Sequence, residues 1–189
     1  MIVAILGGIP DHKWAILRSF SVHFRGLASR GLQPNVADMT RSTSDQQPLG
    51  TALPDWVPPP EPKGQVLAGR YAQLAPLSAE AHAALLFRAF DGYDEVWDYM
   101  PNGPFSSASQ YHRWVRDHAD QADPFFYAIR NIESDQWEGT ASYLRIAPDA
   151  GSIEVGYISY SPALQRTRAA TEAMYLMMKW AFEAGYRRY

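Results

Sequence analysis

The chain has 189 residues, nearly half of them apolar and 13% aromatic, with charge near one fifth; this is the profile of one soluble globular domain with a buried core, not of a disordered chain. A formal charge of -3 and a pI near 5.9 exclude the electrostatic footprint of a dedicated nucleic-acid binder and suit a small or phosphorylated ligand. No cysteine is present, which excludes a disulfide framework, a thiolate zinc site and a cysteine nucleophile, and fits a cytoplasmic location.

The opening run MIVAILGGIP offers about nine apolar residues where ~20 are needed to cross a bilayer. It also lacks the basic start and small-residue cleavage site of a secretory signal. Neither a membrane partner nor secretion is expected. From Asp11 to Arg30, Trp14, Leu17, Phe20, Phe24 and Leu27 fall at loosely helical spacing among arginines, as in a surface helix or a transit segment. Composition then shifts: seven of the 14 prolines lie between Pro34 and Pro62, among Ser, Thr and Gln. Residues 1–66 therefore read as a poorly ordered leader, with 1–38 as an upstream extension and 39–66 proline-rich. Trp56 is its candidate docking anchor.

Periodic sequence begins at Leu67, where the domain is placed, covering 67–189. VLAGRYAQLAPL alternates as a strand does. Leu77 and Ser78 make a helix entry, and Ala83, Leu86, Phe87 and Phe90 follow at i, i+3, i+4 and i+7 until Gly92. A second helix runs from Ser107 to Asp120 with Tyr111, Trp114 and Val115 on its apolar face. His112 and His118 on it are six apart, which does not put two metal ligands on one face, so they read as solvated and no metal site is expected. PFFYAIRNI and GTASYLRIA flank the polar turn ESDQW as an antiparallel hairpin, and GSIEVGYISY forms the next strand. The last helix spans Arg168 to Ala184, with Ala170, Met174, Met177 and Ala181 on one face and Gly185 at its end; Met177 and Met178 read as core filling.

Between that last strand and helix lies LQRTRAATEA, residues 164–173. A strand-to-helix turn exposes unpaired amides and the positive end of the helix dipole, a ready site for a diphosphate. Arg166 and Arg168 add charge at its rim.

With the order strand, two helices, three strands and a helix, the run GSIEVGYISYSPALQRTRAATEA resembles the GCN5-related N-acetyltransferase superfamily, especially its ribosomal-protein (Rim-type) branch. The family's coenzyme-A signature, Gln/Arg-x-x-Gly-x-Gly/Ala, is matched at Gln165 and Ala170 and departs at Arg168, where the family has glycine. ATEA, AFEAGYRR and MTRSTSDQQPLGTALPDW are similar to that branch too, the last to its ordinary amino terminus, so translation is expected to start at Met39. The resemblance implies an α+β fold of mixed sheet, the acyl-CoA N-acyltransferase type, and acetyl-CoA as acetyl donor to a primary amine of a protein or small molecule. It implies that pantetheine pairs with the strand around Ile158, Ser159 and Tyr160. The diphosphate then lies on Gln165, Arg166, Thr167, Arg168, Ala169, Ala170 and Thr171. A neutral amine attacks the thioester directly and a base collects its proton.

Glu154 is the candidate base, the one carboxylate within Ser152 to Tyr160 and on the strand parity of Gly156, Ile158 and Tyr160; pairing with an arginine such as Arg145 is its other reading. Trp97, Tyr99, Gly103 and Phe105, in the loop between the two helices, border the acceptor cleft in this fold, with loop packing as the alternative. The family fold continues with a fifth strand, a further helix and closing strands, whereas this sequence ends at GYRRY. An incomplete, front portion of the fold is therefore expected. The alternative function is a truncated, non-catalytic fragment that binds coenzyme A weakly or serves as an interaction module. The resemblance leaves room for a homodimer.

Overall fold

A computed structural model describes residues 53–189. The readings made for residues 1–52, including the upstream extension, the helix at 11–30, the Met39 start and the first part of the proline-rich leader, lie outside the described residues.

Alternating apolar and polar residues build a sheet of five strands in chain order, β1 (Leu67–Ala68), β2 (Ala72–Pro76), β3 (Phe125–Asn131), β4 (Gln136–Ala147) and β5 (Ser152–Tyr160). Each neighbouring pair is antiparallel. Among the described residues parallel pairing enters only at the bridge Ser152–Arg188, so the mixed character expected of the sheet is confined to that point. The run 66–77, read as one strand, is a hairpin: Leu67 pairs with Leu74, and the chain turns at residues 69–71. β5 is an edge strand: past its start, where Arg188 bridges Ser152 and accepts from the Ile153 amide, one side of its backbone has no neighbouring strand among the described residues.

Among the described residues three α-helices cover the two faces. α1 (Ala84–Phe90) is entered through a π-helical turn at Ala79–Ala83, capped by Ser78, whose hydroxyl accepts from the Ala81 amide at 3.2 Å. α2 (Ala108–Ala119) is capped in the same way by Ser107. Both pack through Leu86, Phe90, Tyr111 and Val115 onto Phe126 and Ala128 of β3. α3 (Arg168–Ala184) covers the other face with Ala169, Ala170, Ala173, Met177 and Ala181, all buried against Tyr127, Tyr143, Ile153 and Leu164. Tyr143 donates its hydroxyl to the Met177 carbonyl at 2.7 Å, closing the helix onto the sheet. Of the two methionines read as core filling, Met177 is buried; Met178 is turned outward and exposed. Gly185, in the left-handed region at φ 107°, ends α3 as the sequence suggests.

Residues 53–66 contain no helix or strand, yet they are fastened to the domain. The Arg187 guanidinium lies 5.2 Å from the Trp56 ring centre, and Tyr186 donates its hydroxyl to the Pro60 carbonyl at 3.2 Å. Gly151 is left-handed at φ 62°, and a Cβ there would come within 2.6 Å of the Trp56 ring.

Candidate functional site

The junction between β5 and α3 is built almost wholly by its own hydrogen bonds. Ser161 follows β5, and its carbonyl accepts from the amides of Leu164 and Gln165. Thr167 is the N-cap of α3: its hydroxyl donates to the Leu164 carbonyl at 2.7 Å and accepts from the Ala170 amide at 3.1 Å. The Thr171 amide is held by the Thr167 carbonyl, and the Gln165 side chain donates to the Tyr160 carbonyl at 3.1 Å. Gln165, Thr167, Ala170 and Thr171 thus shape the turn from within. Among the described residues, the amides of Arg166, Arg168 and Ala169 have no protein acceptor. They lie at the positive end of a 17-residue helix. A cavity of about 570 Å³ opens there, lined by Tyr71, Arg166, Thr167, Arg168, Thr171, Glu172 and Tyr175.

The departure at Arg168 carries no backbone strain, because Arg168 is the first residue of the helix. The left-handed residue is Arg166, at φ 60°. A conformation that glycine adopts freely costs arginine about 1 kcal/mol. The Arg168 guanidinium rests 5.6 Å from the Tyr71 ring centre, and that of Arg70 is 5.2 Å from the same ring.

β5 reaches the junction with a bulge. Thr140 pairs with Ser159 and Ser142 with Gly156, so Tyr157 and Ile158 face one residue of β4; Tyr157 is left-handed at φ 48°. This corrects the parity assigned to Glu154. Val155 and Tyr160, five residues apart, both pack into the α3 core, which an unbroken strand does not allow. Glu154 therefore shares its face with Gly156 but not with Tyr160. A second irregularity, at Arg145 with φ 47°, is held by Asp123, whose carboxylate accepts from the Arg145 and Ile146 amides at 2.9 Å each. From there Arg145 donates to Glu154 Oε2 at 2.7 Å, between exposed side chains. The arginine pairing weighed for Glu154 is thus present. Ile158 is part-exposed, Ser159 is buried, and burial against α3 raises the Tyr160 hydroxyl above its usual pKa while it donates weakly to the Ala170 carbonyl.

The loop residues separate into two groups. Trp97 is buried, Phe105 meets it edge-on at 5.1 Å, and Gly103 is left-handed at φ 82° with room for no Cβ beneath Trp97. Tyr111 joins them, 5.0 Å from Phe105. Tyr99 stands 95% exposed, outside the cluster. His112 is exposed as read; His118, also read as solvated, is half-buried and stacked on Trp114 at 4.8 Å, with Nδ1 at 2.8 Å from the Trp114 carbonyl.

Sequence reasoning did not find the role of Glu172. Its carboxylate accepts from the amides of Arg70, Tyr71 and Ala72 at 3.0, 2.5 and 2.8 Å. Burial acts to raise its pKa, but the three amides and Arg70 outweigh it and hold the carboxyl below its ordinary value. A carboxylate between small residues just inside the helix was the available signal; its target, a turn some 100 residues away in sequence, was not.

An antiparallel sheet with a bulged edge strand leading into a helix with unpaired N-terminal amides defines an acyl-CoA N-acyltransferase fold. Residues 73–188 match the acetyltransferase (GNAT) domain, and the chain belongs to that family. Among solved structures it is similar to a GCN5-related N-acetyltransferase from Brucella melitensis, at 33% identity and TM-score 0.70 over 71% of this chain and 62% of that one. It is also similar to a probable GNAT-family acetyltransferase from Chromobacterium violaceum, at 38% identity and TM-score 0.69 over 75% and 71%. The chain thus spans somewhat under two thirds of the Brucella protein. RimL, a ribosomal L7/L12 alpha-N-protein acetyltransferase, shares the fold at 14% identity and TM-score 0.53, over 69% of this chain and 71% of that one. No curated protein matches the chain. No helix among the described residues is long and apolar enough to cross a membrane.

Proposed function

We propose that this chain is an N-acetyltransferase of the Rim-type branch, moving the acetyl group of acetyl-CoA to a primary amine of a protein or small molecule by direct attack. The observation that carries the reading is the set of free amides at Arg166, Arg168 and Ala169 beside a cavity of about 570 Å³. Acetyl-CoA, when bound, supplies a thioester that a neutral amine attacks, with a thiolate leaving. The chain's residues do the rest. The three amides and the helix dipole hold the diphosphate, and Arg166 and Arg168 add a screened charge. Gln165, Thr167, Ala170 and Thr171 keep the turn in shape. The open edge of β5 at Ile158, Ser159 and Tyr160 receives the pantetheine arm. Glu154 collects the amine's proton through water, leaving its exposed pairing with Arg145. Trp97, Gly103 and Phe105 shape the acceptor side, and Tyr99 presents a ring to an incoming amine. The chain works in the cytoplasm, as a monomer or homodimer, without a nucleic-acid or membrane partner.

One observation favours a second reading, coenzyme-A binding without turnover: the Tyr160 hydroxyl, at the end of β5, is turned into α3 and is not placed to protonate a leaving thiolate. Calorimetric titration with acetyl-CoA, followed by thiol release with a panel of primary amines, separates the readings. Binding with thiol release supports the transferase, binding alone selects the second reading, and absence of binding ends both.

A further inference from the structure

The turn between β1 and β2 lies outside the residues matched to the family domain, 73–188, yet it forms one wall of the cavity at the head of α3 through Tyr71. Glu172 joins the two. Its carboxylate gathers the amides of Arg70, Tyr71 and Ala72 at 3.0, 2.5 and 2.8 Å. Three donors converging on one group need the roughly four lone-pair sites of a carboxylate, and a glutamine at this place would turn an NH₂ toward an N–H. The fit is close: a Cβ on Gly69 would lie 2.4 Å from the Glu172 carboxyl carbon. Gly69 does not have positive φ, so its missing side chain serves the carboxylate, not the backbone.

A carboxylate on the wall of an anion site ordinarily repels the anion. Here its charge is taken up by three amides with Arg70 nearby, while the same turn carries Tyr71 under the Arg168 guanidinium at 5.6 Å. We propose that the β1–β2 turn is a working part of the coenzyme-A site and that Glu172 is its positioning residue, fixing Tyr71 as the platform for Arg168 and holding the free amides of Arg166, Arg168 and Ala169 in register for a diphosphate. The inference rests on the proposed coenzyme-A site. Arg168 reaches the site from the helix, Tyr71 from the hairpin, and Glu172 is the tie between those two elements at this end of the molecule.

The test perturbs one contact from both sides. Glu172→Gln removes the charge and replaces one accepting oxygen by an NH₂ donor, and Gly69→Ala displaces the carboxylate while leaving its charge. Each is titrated with acetyl-CoA and with S-acetylpantetheine, which carries the thioester but no nucleotide. Each variant is expected to weaken acetyl-CoA by about tenfold, as for loss of a charged hydrogen-bond set. The double variant should be no weaker than the worse single, because both act through one contact. Glu172→Asp, which keeps the charge, should recover part of the loss. S-acetylpantetheine should bind all of them as it binds the parent. Parental acetyl-CoA affinity in both single variants overturns the inference, and so does equal weakening of both ligands, which marks general loosening. If the parent itself binds no acetyl-CoA, the coenzyme-A reading fails and this inference falls with it.

Discussion

The residues that α3 buries against the sheet are mostly small, with Ala169, Ala170, Ala173 and Ala181 joined by Met177 and facing the large Tyr127 and Tyr143 of the strands, whereas the helices and loop on the opposite face bring their own rings, Phe90, Trp97, Phe105, Tyr111 and Trp114, in a chain 5.0 to 6.4 Å apart that ends on Phe126. The difference follows from what each face must hold. Alanines let the α3 backbone come close to the sheet, so that its N-terminal amides sit beside β5 and act through the main chain. The aromatic face holds the loop between α1 and α2, whose regular structure is a short 3-10 turn at Asp94–Trp97, and large rings pack it down where few backbone hydrogen bonds do. The α3 face is a ligand face by its backbone; the aromatic face is a stability face by its side chains.

The largest effect expected from that division is at Trp97. Trp97→Ala removes a buried ring against which Phe90, Gly103 and Phe105 all pack, and stability measured by denaturant should fall by about 3–5 kcal/mol. Acetyl-CoA affinity of the folded fraction should stay parental; a change would break the division. Next in size is the amide of Arg168. Thr167 is extended at ψ 165°, the conformation that precedes proline, and the first helical position accepts it. Arg168→Pro should therefore fold as well as Arg168→Ala while binding acetyl-CoA about tenfold more weakly, the difference reporting the lost N–H. Arg168→Ala itself should cost no more than about 1 kcal/mol of binding, since the side chain is exposed and screened. Equal affinities for the two variants would place the diphosphate elsewhere.

The regular part of this division was legible in the sequence. α3 declares itself by alanines and methionines at helical spacing between Thr167 and Gly185, and the strands by alternation. The bulge at Tyr157 was not legible, because a tyrosine has no preference for φ 48° and only pairing with β4 imposes it; the parity of Glu154 was lost with it. The turn at residues 69–71 was hidden for a related reason, its anchor being Glu172, remote in sequence. At the coenzyme-A turn, Gln165 to Ala170 could be picked out by their order, but which amides stay free depends on the Thr167 hydroxyl, a cap that competes for the same donors.

A smaller effect tests whether the aromatic face is wholly apolar in its demands. The Tyr111 hydroxyl is buried without a hydrogen-bond partner among the described residues, and burial pushes its pKa up. An unsatisfied buried hydroxyl costs stability, so Tyr111→Phe should leave the thermal midpoint unchanged or raise it by the equivalent of up to about 1 kcal/mol. A clear loss would reveal a partner for the hydroxyl, and with it a polar function on this face.

The smallest effect separates the faces by pH. His82 is buried on the aromatic face, its Nδ1 accepting from the Ser78 amide at 3.0 Å and its ring 4.3 Å from that of Trp137. Burial holds its pKa below the usual imidazole value. A depressed pKa means that folding favours the neutral ring, so its stabilisation is complete above the unfolded value of about 6.5 and is lost as pH falls through the folded value. The matching carboxylate on the α3 face, Glu172, also has a lowered pKa, and its contribution is lost only below the ordinary glutamate value of about 4.3. Denaturant midpoints should therefore decline in two windows, one opening as pH falls below about 6.5 from the aromatic face and one opening below about pH 4.3 from the ligand face. His82→Asn keeps an acceptor near the Nδ1 position and cannot titrate, so it should flatten the upper window at a constant cost for the lost ring while leaving the lower window in place. If the upper slope survives in His82→Asn, the acid sensitivity comes from another group and this buried imidazole does not mark the aromatic face.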